Sequence, residues 1–340
     1  MTGSEQQILS GVLAGEMRAV ARACRMVDEG WPGHLELLAG LFPHTLASWW
    51  IGVTGSPGVG KSTLTSRLVQ HLRSGGSKVA VVAVDPSSPF SGGALLGDRI
   101  RMQAHWQDPG VFIRSVATRG ALGGLSRTTA DVARVLSAGG AQVVLIETVG
   151  VGQDELDVMQ VAHTTLVVQA PGAGDDLQAA KAGLIECADV FVVNKADLPG
   201  ADSAAQHLRG MLAVASATGG SSGGGGHAAH RLSQPERTGG APDAWEIPVL
   251  SCIAQRDEGM APLLDALQGH RAWLTGSALG QARRRARSHR ELLALLRDRL
   301  GLLLLERHED QIEQLAERVS RGELDPYAAV QTLLRTAGLG

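Results

Sequence analysis

Short runs of apolar residues alternate with amphipathic stretches from about residue 49 onwards. Within most runs the apolar residues follow one another without interruption, which is typical of strands buried on both faces of a sheet. The stretches between them repeat apolar residues every three or four positions, which indicates helices. This alternation predicts an α/β fold, a mainly parallel sheet flanked by helices, with ligand loops at the carboxyl ends of its strands. The predicted strands are Trp49–Thr54, Val79–Asp85, Val111–Arg114, Val143–Glu147, Thr165–Ala170, Val190–Asn194 and Ile247–Cys252.

Both ends of the chain show helical spacing only. We therefore expect an N-terminal helical extension at 1–48, the α/β domain at 49–275 and a C-terminal helical region at 276–340. In the last of these, the leucines of Leu292–Leu305 cover much of a helix's circumference, and such a helix must be buried. Packing on the chain's own sheet would bury it, but we favour dimerisation through this region.

Composition narrows the class of protein without naming a ligand. The chain has 340 residues, 44% hydrophobic and 19% charged, as is ordinary for a globular protein. A net charge of -3 gives no indication of nucleic acid or of an anionic membrane as a partner. The basic run Arg283-Arg284-Arg285 is interpreted as a solvated helix face.

Several sequence features favour the cytoplasm. None of the three cysteines forms a Cys-x-x-Cys pair, so neither a disulfide framework nor a thiolate metal site is indicated. The N-terminus lacks a basic stretch followed by an apolar core, and no apolar run reaches the roughly 18 residues of a membrane span. The glycine-rich stretch 216–243 predicts a flexible surface loop, with His227 and His230 exposed in it.

The first chemical motif is a phosphate-binding loop. Residues 55–62 match Gly-x-x-x-x-Gly-Lys-[Ser/Thr] between a predicted strand and a predicted helix. Its backbone amides would cradle a polyphosphate, Lys61 would reach the β- and γ-phosphates, and the Ser62 hydroxyl would bind Mg²⁺. The predicted nucleotide-binding residues here are Gly55, Ser56, Pro57, Gly58, Val59, Gly60, Lys61, Ser62 and Thr63.

A second motif predicts that the base is guanine. Asn194-Lys195-Ala196-Asp197 follows the apolar strand Val190–Val193 and has the form Asn-Lys-x-Asp. The Asp197 carboxylate can accept from both N1–H and the N2 amine of guanine, whereas adenine offers neither donor. Asn194 would bridge the phosphate loop and the purine, and the Lys195 stem would cover the ring. A backbone N–H from Ser251-Cys252-Ile253 is a candidate donor to guanine O6.

Between these motifs lie the groups expected to sense the γ-phosphate. Glu147-Thr148-Val149-Gly150 has the form of the switch Asp-x-x-Gly with Glu in place of Asp, and the Gly150 amide could meet the γ-phosphate. Asp85, Asp98 and Glu147 join Ser62 as predicted Mg²⁺ ligands. Since Mg²⁺ takes one or two carboxylates directly, some of the three must act indirectly or in one nucleotide state only.

The residue after the switch glycine predicts slow hydrolysis. Many signalling GTPases place a water-orienting Gln there, but this chain has Val151, with Gln153 two residues further on. We therefore expect hydrolysis that is slow in the isolated protein and faster once a partner orders the site.

Taken together, the motifs identify a P-loop GTPase, and the chain resembles the MeaB/ArgK/MMAA-type G-protein chaperones of adenosylcobalamin-dependent acyl-CoA mutases. Glu147–Gln153 and Pro171–Gln178 are the more specific of the matching stretches. Those stretches are Gly52–Thr63, Val82–Ser88, Gly92–Arg99, Phe112–Ser115, Leu122–Leu125, Glu147–Gln153, Pro171–Gln178 and Asn194–Asp197.

The resemblance implies a homodimeric GTPase, paired through C-terminal helices, that binds GTP or GDP with Mg²⁺. Its partner would be a mutase such as methylmalonyl-CoA mutase, and GTP would gate delivery of adenosylcobalamin and removal of damaged cofactor. By the same resemblance Asp85, Asp98 and Glu147 are nucleotide and Mg²⁺ ligands. Lys181, in an additional switch segment, is a candidate for partner-dependent catalysis.

Two other functions stay open at this point. A metal-insertion GTPase would need clustered Cys and His near the nucleotide, whereas the cysteines of this chain are scattered. A kinase acting on a transport protein would transfer the γ-phosphoryl group to a protein hydroxyl instead of to water.

Overall fold

The computed structural model describes residues 2–85, 105, 107–117, 124–148, 161–172, 187–217 and 243–339. Within these, the chain forms two compact units, Met1–Ser288 and His289–Gly340. The three-part division predicted from the sequence stays a prediction.

The first unit is built on a parallel sheet. Its strands are β1 Trp49–Thr54, β2 Val79–Asp85, β3 Val111–Ala117, β4 Val143–Thr148, β5 Thr164–Gln169, β6 Val190–Val193 and β7 Val249–Ser251. Among the described residues they form one sheet in the order β3-β2-β4-β1-β5-β6-β7, and every neighbouring pair is parallel. The predicted α/β fold is confirmed, and β1 and β2 have the predicted bounds.

Ten α-helices surround and follow the sheet in the described part of the chain. They are α1 Gly3–Leu13, α2 Met17–Asp28, α3 His34–Leu41, α4 Lys61–Ser74, α5 Gly124–Ala138, α6 Ala201–Ala217, α7 Met260–Gly276, α8 Ala278–Arg307, α9 Glu309–Ser320 and α10 Pro326–Thr336. Local signals set several ends. A capping box pairs Thr2 and Glu5 at the start of α1, and the Asp325 carboxylate caps α10 just before Pro326.

Both faces of the sheet are buried, which is why its strands are continuous apolar runs. Successive side chains of β1 point to opposite faces, so Trp49 and Ile51 pack with α4 and α7. Trp50 packs on the other face with α1, α2, α3 and α5. The N-terminal helices therefore complete the cover of one sheet face and belong to its core.

The leucine-rich part of α8 presents its apolar side chains outward in the single chain. Leu292 is 65% exposed and Leu296 is 51% exposed. The expectation that this helix is buried, on the chain's own sheet or in a dimer, stays a prediction. No helix among the described residues combines the length and the apolar composition that a membrane span requires.

A buried polar network closes the amino edge of the sheet, where β1, β5 and β6 begin. The Trp49 Nε1–H donates to Thr164 Oγ1 (2.9 Å), and Thr164 Oγ1 lies 2.9 Å from His270 Nδ1. Because the hydroxyl accepts from the indole, its own hydrogen can go to Nδ1, which leaves the neutral imidazole protonated at Nε2. That nitrogen is 3.5 Å from Asp189 Oδ1, which also pairs with Arg283 Nη2 at 2.6 Å.

Arg283 corrects the interpretation of the basic run as a solvated helix face. Its guanidinium pairs with Asp189, whose side chain is only 1% exposed. A carboxylate buried to that degree requires compensation by charge and hydrogen bonds, and the Thr165 amide also donates to it at 2.8 Å. The first residue of the run is therefore part of the fold.

His270 should make stability depend on pH. Burial lowers its pKa to about 4, with Arg283 adding to the effect and Asp189 opposing it. Between about pH 6.5 and pH 4, the unfolded chain binds a proton at this histidine that the folded chain does not bind. The free energy of unfolding therefore decreases as the pH is lowered through this window, by up to about 3 kcal/mol.

We expect His270→Gln to remove this part of the pH dependence. Urea unfolding at pH 6.5, 5.5 and 4.5 measures it, with His207→Gln, at an exposed histidine of α6, as the control. The stability deficit of the His270 variant should shrink as the pH falls. A deficit that stays constant over this range would contradict the assignment.

Candidate nucleotide-binding site

The phosphate-binding loop connects β1 to α4 and requires glycine at several positions. Gly55, Gly58 and Gly60 have φ of 145°, 78° and 94°, values that residues with a Cβ rarely adopt. A Cβ on Gly55 would also collide with the Val168 carbonyl of β5, and one on Gly60 with the Asn194 amide. The loop is therefore packed tightly against two neighbouring segments as well as curled.

Lys61 and Ser62 open helix α4 at the carboxyl edge of the sheet. Lys61 is buried, and its Nζ donates to the carbonyls of Gly55 (2.6 Å) and Ser56 (3.1 Å). The Ser62 hydroxyl donates to Glu147 Oε1 at 2.6 Å. Because β1 and β4 are parallel neighbours with Val53 opposite Glu147, the switch carboxylate and the phosphate loop meet at this edge.

This hydroxyl and carboxylate fit a Mg²⁺ ion, which prefers oxygen ligands. The main chain of Asp85 ends β2, the strand beside β4, so Asp85 lies at the same edge. Asp98, Gly150, Gln153 and Lys181 lie outside the described residues, and their predicted roles stay predictions.

Asn194 joins three parts of the chain in this site. Its Nδ2 donates to the Val59 carbonyl in the phosphate loop at 2.9 Å. Its Oδ1 accepts from the backbone N–H of Ala254 at 3.0 Å. The backbone N–H of Asn194 donates to the Gln169 carbonyl at 2.8 Å. Asn194 therefore joins the base motif to the phosphate loop, and its predicted contact with the purine stays a prediction.

The next residues of the motif turn towards the loop. Lys195 has a φ of 57°, an uncommon conformation for a residue with a side chain, and its Nζ donates to the Gly58 carbonyl at 2.7 Å. Asp197 is exposed, and its Oδ2 lies 3.3 Å from Arg256 Nη2. The end of the lysine side chain thus contacts the phosphate loop, and the predicted cover of the purine by its stem stays a prediction.

A small pocket opens between these segments. Residues from the phosphate loop and the start of α4, from the Asn-Lys-x-Asp motif and from the turn after β7 form its walls. They are Gly60, Thr63, Asn194, Lys195, Asp197, Ile253, Ala254 and Gln255. This is the place where a purine attached to a phosphate chain in the loop would lie.

The turn after β7 differs from the sequence expectation. The Cys252 amide donates to the Val193 carbonyl at 2.9 Å, and the Ile253 amide donates to the Glu258 carbonyl at 3.0 Å. Both amides are engaged within the fold, and Ser251 is exposed at the end of β7. The pocket is lined by Ile253, Ala254 and Gln255, and the assignment of the guanine O6 donor stays a prediction.

Cys252 supports this site by packing. It is buried, and burial raises the pKa of its thiol to about 12, so the group stays a neutral thiol. Its Sγ lies 3.5 Å from Asn194 Oδ1. The neutral thiol therefore donates a weak hydrogen bond to the side-chain oxygen of Asn194.

Sequence reasoning missed Ala254, Gln255 and Arg256. They carry no motif, and their pairing with Asn194 and Asp197 spans about sixty residues of chain. Only their position directly after the last predicted strand could have drawn attention to them, because ligand loops follow the carboxyl ends of parallel strands.

The sequence of this chain is similar to those of several known proteins. A family model described as "Methylmalonyl Co-A mutase-associated GTPase MeaB" matches residues 20–309. A Pyrococcus abyssi protein named "Putative GTPase" is 39% identical over 330 residues, covering 97% of this chain and 95% of that protein. The mouse protein named "Methylmalonic aciduria type A homolog, mitochondrial" is 28% identical over 350 residues, covering 97% of this chain and 78% of that protein.

A solved structure has the same fold. The crystal structure of a protein titled LAO/AO transport system kinase superposes with a TM-score of 0.65 at 23% identity, and the match covers 99% of each chain. At this level of identity the likeness concerns the fold, the parallel sheet flanked by helices with its phosphate-binding loop.

Asp197→Asn tests the base assignment. The amide would present a donor where guanine also presents donors, so we expect GTP to bind at least about 100-fold more weakly. Xanthosine triphosphate, whose 2-oxo group needs a donor, should bind better than it does to the wild-type chain. Competition with a fluorescent nucleotide measures both affinities.

Asp202→Asn is the control for this variant. Asp202 is an exposed carboxylate in the first turn of α6, outside the pocket walls. Its replacement should leave both affinities unchanged. An unchanged preference for GTP in the Asp197 variant would remove the base assignment.

Proposed function

This chain belongs to the MeaB family of methylmalonyl-CoA mutase-associated GTPases, and on that premise we propose that it is a nucleotide-gated chaperone of a cobalamin-dependent acyl-CoA mutase. It hydrolyses GTP, and its nucleotide state gates the loading, protection or reactivation of adenosylcobalamin in the mutase. Family membership confirms the resemblance drawn from the motifs. The family's description as mutase-associated supports the choice of partner.

One hydrogen bond is the observation that supports coupling between the nucleotide state and the binding of the partner. The Ser62 hydroxyl of the phosphate loop donates to Glu147, the first residue of a motif that continues to Gln153. Ser62, with Glu147 and Asp85, would hold Mg²⁺, which would supply positive charge to stabilise the phosphates and the leaving group. Any shift of Glu147 between nucleotide states would be passed to the segment that follows it.

The other groups have separate roles in hydrolysis. Lys61 neutralises charge on the β- and γ-phosphates, and the loop amides bind their oxygens. We propose that Gly150 meets the γ-phosphate and that Gln153 and Lys181 act when the mutase orders them. Because Val151 stands where signalling GTPases carry a water-orienting Gln, hydrolysis is slow in the isolated chain.

We further propose that the protein is a cytoplasmic homodimer that pairs through α8. Cys24, Cys187 and Cys252 are not joined by disulfides, which fits a reducing compartment. The exposed leucines of α8 form an apolar surface that a second copy of the same helix would cover. A face of this kind is costly to leave in water.

A double substitution on α8 tests the dimer. Leu292→Glu with Leu296→Glu places two charges one helical turn apart, where they would be desolvated on pairing. We expect light scattering to give the mass of a dimer for the wild-type chain and of a monomer for this variant. The control Leu46→Glu changes a leucine that is 69% exposed on the other unit and should leave the dimer intact. A wild-type monomer at micromolar concentration would contradict the proposal.

Binding of a purified adenosylcobalamin-dependent acyl-CoA mutase tests the partner. The full chain is titrated with the mutase in GDP and in a non-hydrolysable GTP analogue. We expect the affinity to differ by about 5-fold or more between the two states, as in other coupled sites. Lys61→Ala, which loses the phosphate-paired ammonium, should bind the mutase equally in both conditions. No binding, or binding independent of the nucleotide, would refute the proposal.

A further inference from the structure

The turn after β7 has a fixed shape of its own. Ile253 and Glu258 exchange backbone hydrogen bonds of 3.0 and 3.3 Å, which close the turn. Gly259, with a φ of 77°, lies so near the Ser251 carbonyl that a Cβ would collide with it. The turn Ile253–Glu258 thus brings Ala254 and Gln255 to the pocket as one unit.

Arg67 of α4 holds this turn from the outside. Its Nε donates to the Ala254 carbonyl and its Nη2 to the Gln255 carbonyl, both at 2.9 Å. A planar guanidinium donates to two neighbouring acceptors from separate nitrogens in a fixed fork, whereas an ammonium is a single point charge on a flexible stem. One helical turn further on, His71 Nε2 lies 2.8 Å from Asp257 Oδ1 in the same turn.

These contacts tie the base pocket to the phosphate-binding helix. Helix α4 begins at Lys61, so the residues that contact phosphate and the residue that grips the turn lie on one helix. Ala254 is held on both sides, since its amide donates to Asn194 and its carbonyl accepts from Arg67. The distance between the phosphate site and the wall of the base pocket is therefore set by α4.

We propose that Arg67 is a positioning residue for guanine selectivity. It fixes the main chain of Ala254 and Gln255 against the purine without touching the nucleotide. The inference rests on the assignment of guanine to this pocket. Loss of the guanidinium leaves the apolar packing of α4 and of Ala254 in place, so the fold survives while the pocket wall becomes less well positioned.

The chain offers a matched control on the same helix. Arg67 makes a third hydrogen bond, from Nη1 to Gln70 Oε1 at 3.0 Å. Arg73 likewise makes three hydrogen bonds, from Nε and Nη2 to Asp108 and from Nη1 to the Ser77 carbonyl, each at 2.8 Å. None of these partners lines the pocket. Arg73→Ala therefore removes an equivalent set of contacts from α4 without altering the base site.

The test compares ligands with and without a base. Calorimetric competition measures the affinities of the full chain, Arg67→Ala, Arg67→Lys and Arg73→Ala for GDP, ADP and inorganic pyrophosphate. We expect Arg67→Ala to bind GDP about tenfold more weakly and to lose part of its preference over ADP, with pyrophosphate unchanged. Arg67→Lys keeps the charge but not the fixed fork of donors, so its loss should be intermediate, and it replaces the alanine variant if that one does not fold.

Two results would overturn the proposal. One is an Arg67→Ala chain with the wild-type affinity and preference for GDP. The other is an equal loss for GDP and pyrophosphate, or an equal loss in Arg73→Ala, which would indicate general damage to α4. A wild-type chain that binds pyrophosphate but does not favour GDP would instead remove the guanine assignment, a failure visible before any variant is compared.

Discussion

The site depends on one buried amide. Asn194 hydrogen-bonds to both the phosphate loop and the turn after β7, through Val59 and Ala254. The contact is so close that Gly60 has no room for a Cβ beneath the amide. Losing either hydrogen bond would leave a buried polar group unsatisfied, at a cost of about 1–3 kcal/mol. The positions of the phosphate subsite and the base subsite are therefore coupled, because a shift of Asn194 would move both.

The sheet supplies the rigidity that this arrangement needs. Its amino edge is closed by side chains, with Asp189, His270 and Thr164 linked between strand ends and α7. Its carboxyl edge is closed by loops, where the backbone amides and polar side chains remain available to a ligand. The N-terminal helices cover one face and α4 and α7 the other, so the strands that carry the loops have little freedom to shift. The groups available to bind a ligand therefore lie at the carboxyl edge of a well-packed sheet.

Much of this could be predicted from local pattern. A strand buried on both faces must be apolar at every position, so its signal survives in the sequence, and the bounds of β1 and β2 were predicted correctly. The phosphate loop is equally local, because Gly55 and Gly60 adopt φ values that require glycine. The last strand, predicted as Ile247–Cys252, is shorter in the structure, Val249–Ser251, and the Cys252 and Ile253 amides are engaged within the fold. Short edge strands carry weak patterns, and a backbone donor leaves no trace in residue identity.

The sequence by itself determined the α/β class, the phosphate-binding loop, the guanine motif and the family, because each is written in contiguous residues whose chemistry needs those side chains. Tertiary structure decided which distant segments meet. It placed Arg67 on a turn almost two hundred residues away, paired Arg283 with Asp189 and made the N-terminal helices part of the core. Such contacts depend on how helices pack against the sheet, and a side chain that binds a backbone carbonyl can do so wherever the chain passes. The residue pattern of one segment therefore does not predict which distant segment it contacts.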